Sequence, residues 1–180
     1  MAGPPPSSGA IEYRRFSVPG VEFTLEYPRG WRIVDQLAER EPSVGFLLPT
    51  NDPQRLTVLV MVQQYKRDER AAPLEEMMGE LSELAERGQA RVLEARAMDV
   101  EGNPGRLAAL SRVWSVPLRH DGIEIHEFAV VERYLFIEHA GLLYVVSYVA
   151  REDLDAQFAS VFEHAIKTFH FLPAREGGHP

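Results

Sequence analysis

The chain of 180 residues has no cysteine. Disulfides, thiolate metal sites and a cysteine nucleophile are therefore excluded. It also lacks the ~18 consecutive apolar residues that a membrane-spanning helix needs. Positive charge is in deficit. Nineteen Lys and Arg stand against 27 Asp and Glu, a formal net charge of −8. Neutralising phosphate requires a basic patch, so nucleic acid is not the expected partner, and an acidic surface does not dock on anionic lipid. Met1 to Ala10 has neither the basic start nor the apolar stretch of a signal peptide. The expectation is a cytoplasmic protein. The alternative is an exported or lipid-anchored one whose signal has been removed.

Catalytic signatures are missing as well. The glycines form no Gly-x-Gly-x-x-Gly or Walker loop, and there is no Gly-x-Ser-x-Gly. The six histidines, His120, His126, His139, His164, His170 and His179, form no His-x-His pair and no His-Glu-x-x-His helix. They read as solvated loop and tail residues. Ser160 and His164 lie four apart, on one helix face, but no third group orients them and that face reads as the wet one. No catalytic residue, metal ligand or cofactor is expected.

What is present is pattern. Val21, Phe23, Leu25 and Tyr27 alternate with Glu22, Thr24 and Glu26, the period of a strand with one wet face. The strand runs into a Pro28-Arg29-Gly30 turn and Trp31. Ile11 to Phe16, Trp31 to Val34 and Val44 to Leu48 read as short strands, and Arg91 to Val100 as a further one. Leu56 to Tyr65, Phe128 to Ile137 and Leu142 to Val149 are apolar in both alternating sets, as in strands covered on both faces. Arg106 to Leu118, Ile123 to Glu138 and Leu142 to Ala150 form a meander joined near His120-Asp121-Gly122 and His139-Ala140-Gly141. Gly102-Asn103-Pro104-Gly105 reads as the turn before it. Apolar stripes of helical period mark helices over Pro73 to Arg87 and Leu154 to Thr168, the second with Asp153 as N-cap. Gly79, inside the first helix, suggests close packing on a neighbour. Hairpins make the sheet antiparallel. Doubly apolar strands need cover on both sides, which two helices supply. The expected fold is α+β, an antiparallel sheet sandwiched between helices, over residues 11–172 as one domain. Residues 1–10 and 173–180 are polar tails. The Val21 strand, with its wet face, is expected near an edge.

At this point the residues resemble the PsbP-like family, which takes in the photosystem II extrinsic subunit, the yeast Ran-binding Mog protein and bacterial relatives. Phe23-Thr-Leu-Glu-Tyr-Pro-Arg-Gly-Trp31 is similar to the family's Phe-x-Leu-x-Tyr-Pro-x-Gly-Trp opening. Val100-Glu-Gly-Asn-Pro-Gly105 resembles its turn before a long strand, and Ile166-Lys-Thr-Phe-His-Phe171 its ending. The resemblance covers Phe16 to Leu172. It implies the helix–sheet–helix sandwich and non-enzymatic binding roles. No motif matches the photosystem subunit's metal or membrane residues. Some bacterial relatives are lipoproteins, from which this chain departs in lacking a lipobox cysteine. Others are cytoplasmic adaptor chaperones for type VI secretion effectors.

The polar residues that stand out are Arg112, Glu132 and Arg133, set in apolar strands. A buried unpaired charge costs several kcal/mol, so these are expected to be paired or to line an opening. A turn at His120-Asp121-Gly122 places Arg112 opposite Val130 and diagonal to Glu132. A second turn at 139–141 brings Glu132 near Tyr148. An Arg112–Glu132–Tyr148 cluster is thus expected, either as a structural ion pair or as a patch that touches a partner. Met77 and Met78, with Met61, complete a core stripe or an adaptable apolar surface. The functional expectation is a protein-binding adaptor, with a carrier of a small apolar ligand as the alternative. The oligomeric state stays open, a homodimer among its options.

Overall fold

Alternating segments cut by turns, and two stripes of helical period, become ten strands and two helices among the described residues. The computed structural model describes residues 11–19, 21–37, 42–50, 58–66, 73–117 and 125–173, without the side chains of 66, 73–77, 116–117 and 125–126. In chain order the elements are β1 (Tyr13–Phe16), β2 (Phe23–Pro28), β3 (Arg32–Gln36), β4 (Ser43–Leu47), β5 (Val58–Lys66), α1 (Pro73–Glu86), β6 (Ala90–Val100), β7 (Asn103–Pro117), β8 (Ile125–His139), β9 (Leu142–Arg151), α2 (Glu152–Lys167) and β10 (His170–Phe171). The expected tail at 1–10, the tail at 173–180 beyond Pro173, the turn at His120-Asp121-Gly122, His179 and the side chains of Met77 and His126 lie outside the described residues.

Two antiparallel sheets result. The larger runs β3-β4-β5-β9-β8-β7-β6 and the smaller β1-β2-β10. The doubly apolar strands β5, β8 and β9 all fall inside the larger sheet, as burial on both faces requires. On one face Leu135, Ile137, Val146 and Tyr148 pack with Phe158, Val161, Phe162 and Ala165 of α2 and with Phe23, Leu25 and Tyr27 of β2. On the other face Ala108, Phe136, Leu143 and Val145 pack with Met78 and Leu81 of α1. The α+β sandwich of helix, sheet and helix stands, with a small second sheet sharing the α2 side.

That second sheet corrects the place of β2. Instead of lying near an edge, β2 is the centre of the small sheet, with Leu25 opposite Phe16 and Phe23 opposite Phe171. Its expected wet face is wet only at Glu22. Thr24 is buried and donates to the Phe16 carbonyl at 2.6 Å. Glu26 is half-buried; its N–H donates to Thr168 Oγ1 at 3.0 Å and its carboxylate meets His164 Nε2 at 2.8 Å. Alternation reveals which face of a strand packs, not how many strands flank it.

Two turns set the registers that matter for the site. Glu101 and Gly102 (φ 53° and 80°) join β6 to β7, and Ala140 and Gly141 (φ 50° and 78°) join β8 to β9. Two consecutive left-handed residues make a type I′ hairpin turn. Asn103, Pro104 and Gly105 therefore begin β7 rather than forming the turn expected at 102–105. His139 belongs to the ladder, opposite Leu142, rather than to the second turn.

Helix α2 differs at its start. Arg151, not Asp153, is the N-cap residue and makes no side-chain cap. Asp153 sits in the acidic first turn, where the helix dipole favours anions, and accepts from Arg151 at 3.0 and 2.8 Å. Gly79 of α1 faces open space, so it marks no close approach.

Candidate functional site

Strands β7 and β8 place Arg112 opposite Val130 and Leu110 opposite Glu132. Arg112 and Glu132 are therefore diagonal neighbours on the α1 face of the sheet, the register expected from the sequence. Arg112 Nε donates to both Glu132 oxygens at 3.1 and 3.0 Å, and Nη2 donates to Oε1 at 2.8 Å. Trp114 Nε1 donates to the same Oε1 at 3.0 Å, and Tyr134 lies on the same face, two residues along β8 from Glu132. The Arg112 guanidinium lies 5.6 Å from the Trp114 ring centre.

The electrostatics follow from burial. The Glu132 side chain is 1% exposed and that of Arg112 is 31% exposed. Burial alone would lower the Arg112 pKa, but its bonds to Glu132 outweigh that and hold it above the ordinary value. Burial, and then the Glu132 charge, push the Tyr134 hydroxyl up. The Glu132 carboxylate thus receives a guanidinium and an indole N–H in four bonds, three of them to Oε1. This cluster ties β7 to β8. Trp114 and Tyr134 were not foreseen in it, although each lies two residues along the strand from Arg112 or Glu132 and so on the same face.

Tyr148 does not join the cluster. It pairs with Arg133, and Glu132 pairs with Val149. The two-residue turn at Ala140-Gly141 shifts the register by one from that expected, and one residue moves every side chain to the opposite face. On the α2 face Tyr148 lies under the Arg133 guanidinium, 5.3 Å from ring centre to Cζ. Arg133 in turn makes a two-pronged salt bridge to Asp155 of α2, with Nη1 on Oδ1 and Nη2 on Oδ2 at 3.0 Å. The Tyr148 hydroxyl is buried without a partner in hydrogen-bonding geometry. Burial raises its pKa, and the nearby Asp155 charge raises it further. Arg133, singled out in the sequence, is thus paired across the sheet–helix interface.

Met78 packs on the α1 side of the core. Met61 stands on the same sheet face, opposite Ser147. Ser160 is exposed, whereas His164 is stacked on Tyr13 at 3.6 Å between ring centres and bonded to Glu26. Two further histidines make side-chain bonds, His139 half-buried and His170 exposed. His139 Nδ1 meets Asn103 Oδ1 at 2.9 Å and its ring stacks on Phe171. His170 Nδ1 meets Glu101 Oε1. Among the described residues no three His, Asp or Glu side chains converge as a metal site, and no helix is long and apolar enough to cross a membrane.

Two features bear on a ligand or partner. The first is a cavity of about 340 Å³ between α2 and strands β6 to β8. Leu107, Ala109, Phe162 and Ile166 line it, and Glu94, Arg96, Arg133, Glu163 and Lys167 supply charge around it. The second is β6 itself. It forms one edge of the larger sheet, and every residue from Arg91 to Ala97 is exposed. Val92 and Leu93 are 47% and 43% exposed, and Val113 of the neighbouring β7 is 60% exposed. Among the described residues nothing pairs with the outer side of β6, and an eleven-residue edge without proline or lysine is a template for another strand.

No protein-family model matches the chain, and no curated protein matches it. Solved structures do. A cyanobacterial PsbP (CyanoP) from Synechocystis sp. PCC 6803 aligns over 94% of this chain and 98% of its own, at 16% identity and a TM-score of 0.55. The Saccharomyces cerevisiae Ran-binding protein Mog1p aligns over 91% and 97%, at 13% identity and 0.55. The protein PA94 from Pseudomonas aeruginosa aligns over 90% and 99%, at 15% identity and 0.55. The chain therefore has the PsbP/Mog1-like fold.

Proposed function

We propose that this PsbP/Mog1-like fold serves as a non-enzymatic protein-binding module, an adaptor whose open β6 edge takes up a strand of its partner. The observation that carries the reading is the long exposed β6 edge with Val92 and Leu93 beside it. Strand addition draws affinity from main-chain hydrogen bonds and specificity from alternate side chains, and β6 offers both. Mog1p is a Ran-binding protein, so the same fold presents a protein-binding surface elsewhere. The Arg112–Glu132 cluster, with Trp114 and Tyr134 around it, has the form of a scaffold behind that surface, its carboxylate being 1% exposed. A carrier of a small apolar ligand calls for an enclosed apolar cavity. The cavity beside α2, with five charged side chains among its lining residues, favours the adaptor. A cytoplasmic adaptor chaperone for a type VI secretion effector is the specific form of this reading that suits the net charge of −8.

The test is capture from the native host with the full chain and with its Ala95→Pro variant, which removes a donor from the middle of the β6 edge. A protein retained by the wild type and lost by the variant, with melting unchanged, supports the reading. Retention that is equal on both rejects strand addition at β6. Recovery of a small molecule alone rejects the adaptor.

A further inference from the structure

We infer that the strand taken up by β6 is the β6 of a second copy, paired antiparallel about a twofold axis at Ala95. The inference rests on the strand-addition reading and names its partner. The backbone comes first. Val100 and Asn103 close a two-residue turn, and the pair that closes such a turn is hydrogen-bonded. Alternate residues then bond to β7: Val100, Met98, Arg96 and Glu94. Ala95 and Ala97 direct their N–H and C=O groups away from the sheet, at a free edge.

Symmetry restricts the pairing. A twofold axis perpendicular to the sheet keeps each side chain on its own face, so its centre must fall on a residue. Centring on Glu94 or Arg96 sets like charges opposite each other. Centring on Ala97 sets Arg96 against Met98 and Ala95 against Asp99. Centring on Ala95 sets Glu94 against Arg96 and Arg96 against Glu94, with Ala95 against itself and Leu93 against Ala97. Both charged residues line the cavity on the α2 face, so they share a side. They fall in non-hydrogen-bonded pairs, where side chains approach most closely.

Glu94 and Arg96 already form a salt bridge within one copy, at 46% and 53% exposure. Two copies make an alternating quartet of charges across the axis and cover Leu93. The bulge at Leu93, where the register against β7 shifts between Val92 and Glu94, ends the regular match there. The opposite edge of the sheet offers no such charge match: in β3, Arg32 and Asp35 are three apart, so no pairing centred on a residue sets one against the other.

The absence of cysteine gives a direct test on the full chain. Ala95→Cys places two thiols in a hydrogen-bonded pair about 5.5 Å apart between Cα atoms, within disulfide range. Ala97→Cys places them roughly 13 Å apart along the strands, outside it. Mild oxidation is expected to link Ala95→Cys and to leave Ala97→Cys unlinked. In solution the wild type is expected at twice its 20.3 kDa, and Ala95→Pro at the single mass with its melting retained. Glu94→Lys or Arg96→Glu alone should weaken the dimer about tenfold, and the double reversal should restore it. A wild-type monomer at about 100 μM, where a micromolar interface is filled, overturns the inference, as does equal cross-linking at 95 and 97. A monomer whose capture of a different protein still depends on Ala95 overturns this inference and leaves strand addition standing. A dimer and a capture that are both indifferent to Ala95→Pro overturn both.

Discussion

Glu101 Oε2 accepts the backbone N–H of Phe171 at 3.0 Å, joining the β6–β7 turn to the last strand, 70 residues away. The other oxygen of the same carboxylate meets His170. The left-handed backbone of Glu101, at φ 53°, sits in the turn that presents this side chain to β10. The bond to His170, and then that to Phe171, hold the Glu101 pKa below its ordinary 4.5. A carboxyl whose pKa is lowered by folding stabilises the fold above its unfolded value and loses that contribution as pH falls through the folded one. Protection of the Phe171 amide against hydrogen exchange is therefore expected to hold above pH 4.5 and to fall below it. Glu101→Gln is expected to show weaker protection without that acid step. A wild-type profile flat down to pH 3 would remove Glu101 from this role.

Arg112 and Glu132 give an asymmetric prediction. Arg112→Ala leaves a carboxylate that is 1% exposed without its cation, and breaking a buried pair in this way costs about 3 kcal/mol. Replacing both residues with apolar side chains of similar volume, Arg112→Met with Glu132→Leu, removes the stranded charge and is expected to recover most of the loss. Urea midpoints at constant m-value measure both. If the double variant is less stable than Arg112→Ala, the pair contributes more than mutual neutralisation. If Arg112→Ala instead abolishes partner binding with its midpoint unchanged, the cluster is a contact site.

Tyr148 should tolerate the loss of its hydroxyl. Tyr148→Phe deletes a buried hydroxyl that has no hydrogen-bond partner, so stability should stay level or rise by up to ~1 kcal/mol. Thermal melts of the variant and the wild type decide it, and a clear loss would show that Tyr148 has a bonding partner in solution.

Gly79 lies inside α1, and a Cβ built there meets nothing within 4 Å. Glycine in a helix interior costs roughly 0.5–1 kcal/mol relative to alanine. Gly79→Ala is expected to raise stability by about that amount. A loss instead would mean that the position is covered by something that binds there.

The sequence carried the helix stripes and the doubly apolar strands in its periodicity, and these decide the layers of the sandwich. The Arg112–Glu132 pair was legible because a buried charge in a long strand demands a partner. Two things were not legible. A short final strand could be read at Phe169-His170-Phe171, but the small sheet forms because β10 returns to β2, and two residues carry no sign of which strand they will pair with. The face of Tyr148 depended on whether His139 ends a strand or begins a turn, and hydrophobic pattern cannot decide that. Backbone conformation at Ala140 decides it, and alanine gives no sign of a left-handed position.

Ala140 is therefore the place to test how the site is held in register. It stands at φ 50°, a left-handed conformation that costs a residue other than glycine about 1 kcal/mol. Type I′ turns favour asparagine followed by glycine, and Gly141 is already in place. Ala140→Asn should relieve that strain and stabilise the protein by roughly 0.5–1 kcal/mol. Because the turn fixes the β8–β9 register, the same substitution should leave the Arg133–Asp155 and Arg112–Glu132 pairs on their separate faces. Inserting one glycine after Ala140 is expected to do the reverse. A three-residue connection no longer favours the register that sets Arg133 opposite Tyr148, and a slip of one residue would drive the apolar set Tyr144, Val146 and Tyr148 off the α2 core. The insertion should therefore cost several times what Ala140→Asn gains, read as a drop in the urea midpoint. An insertion variant as stable as the wild type would show that the cores, and not the turn, set the register.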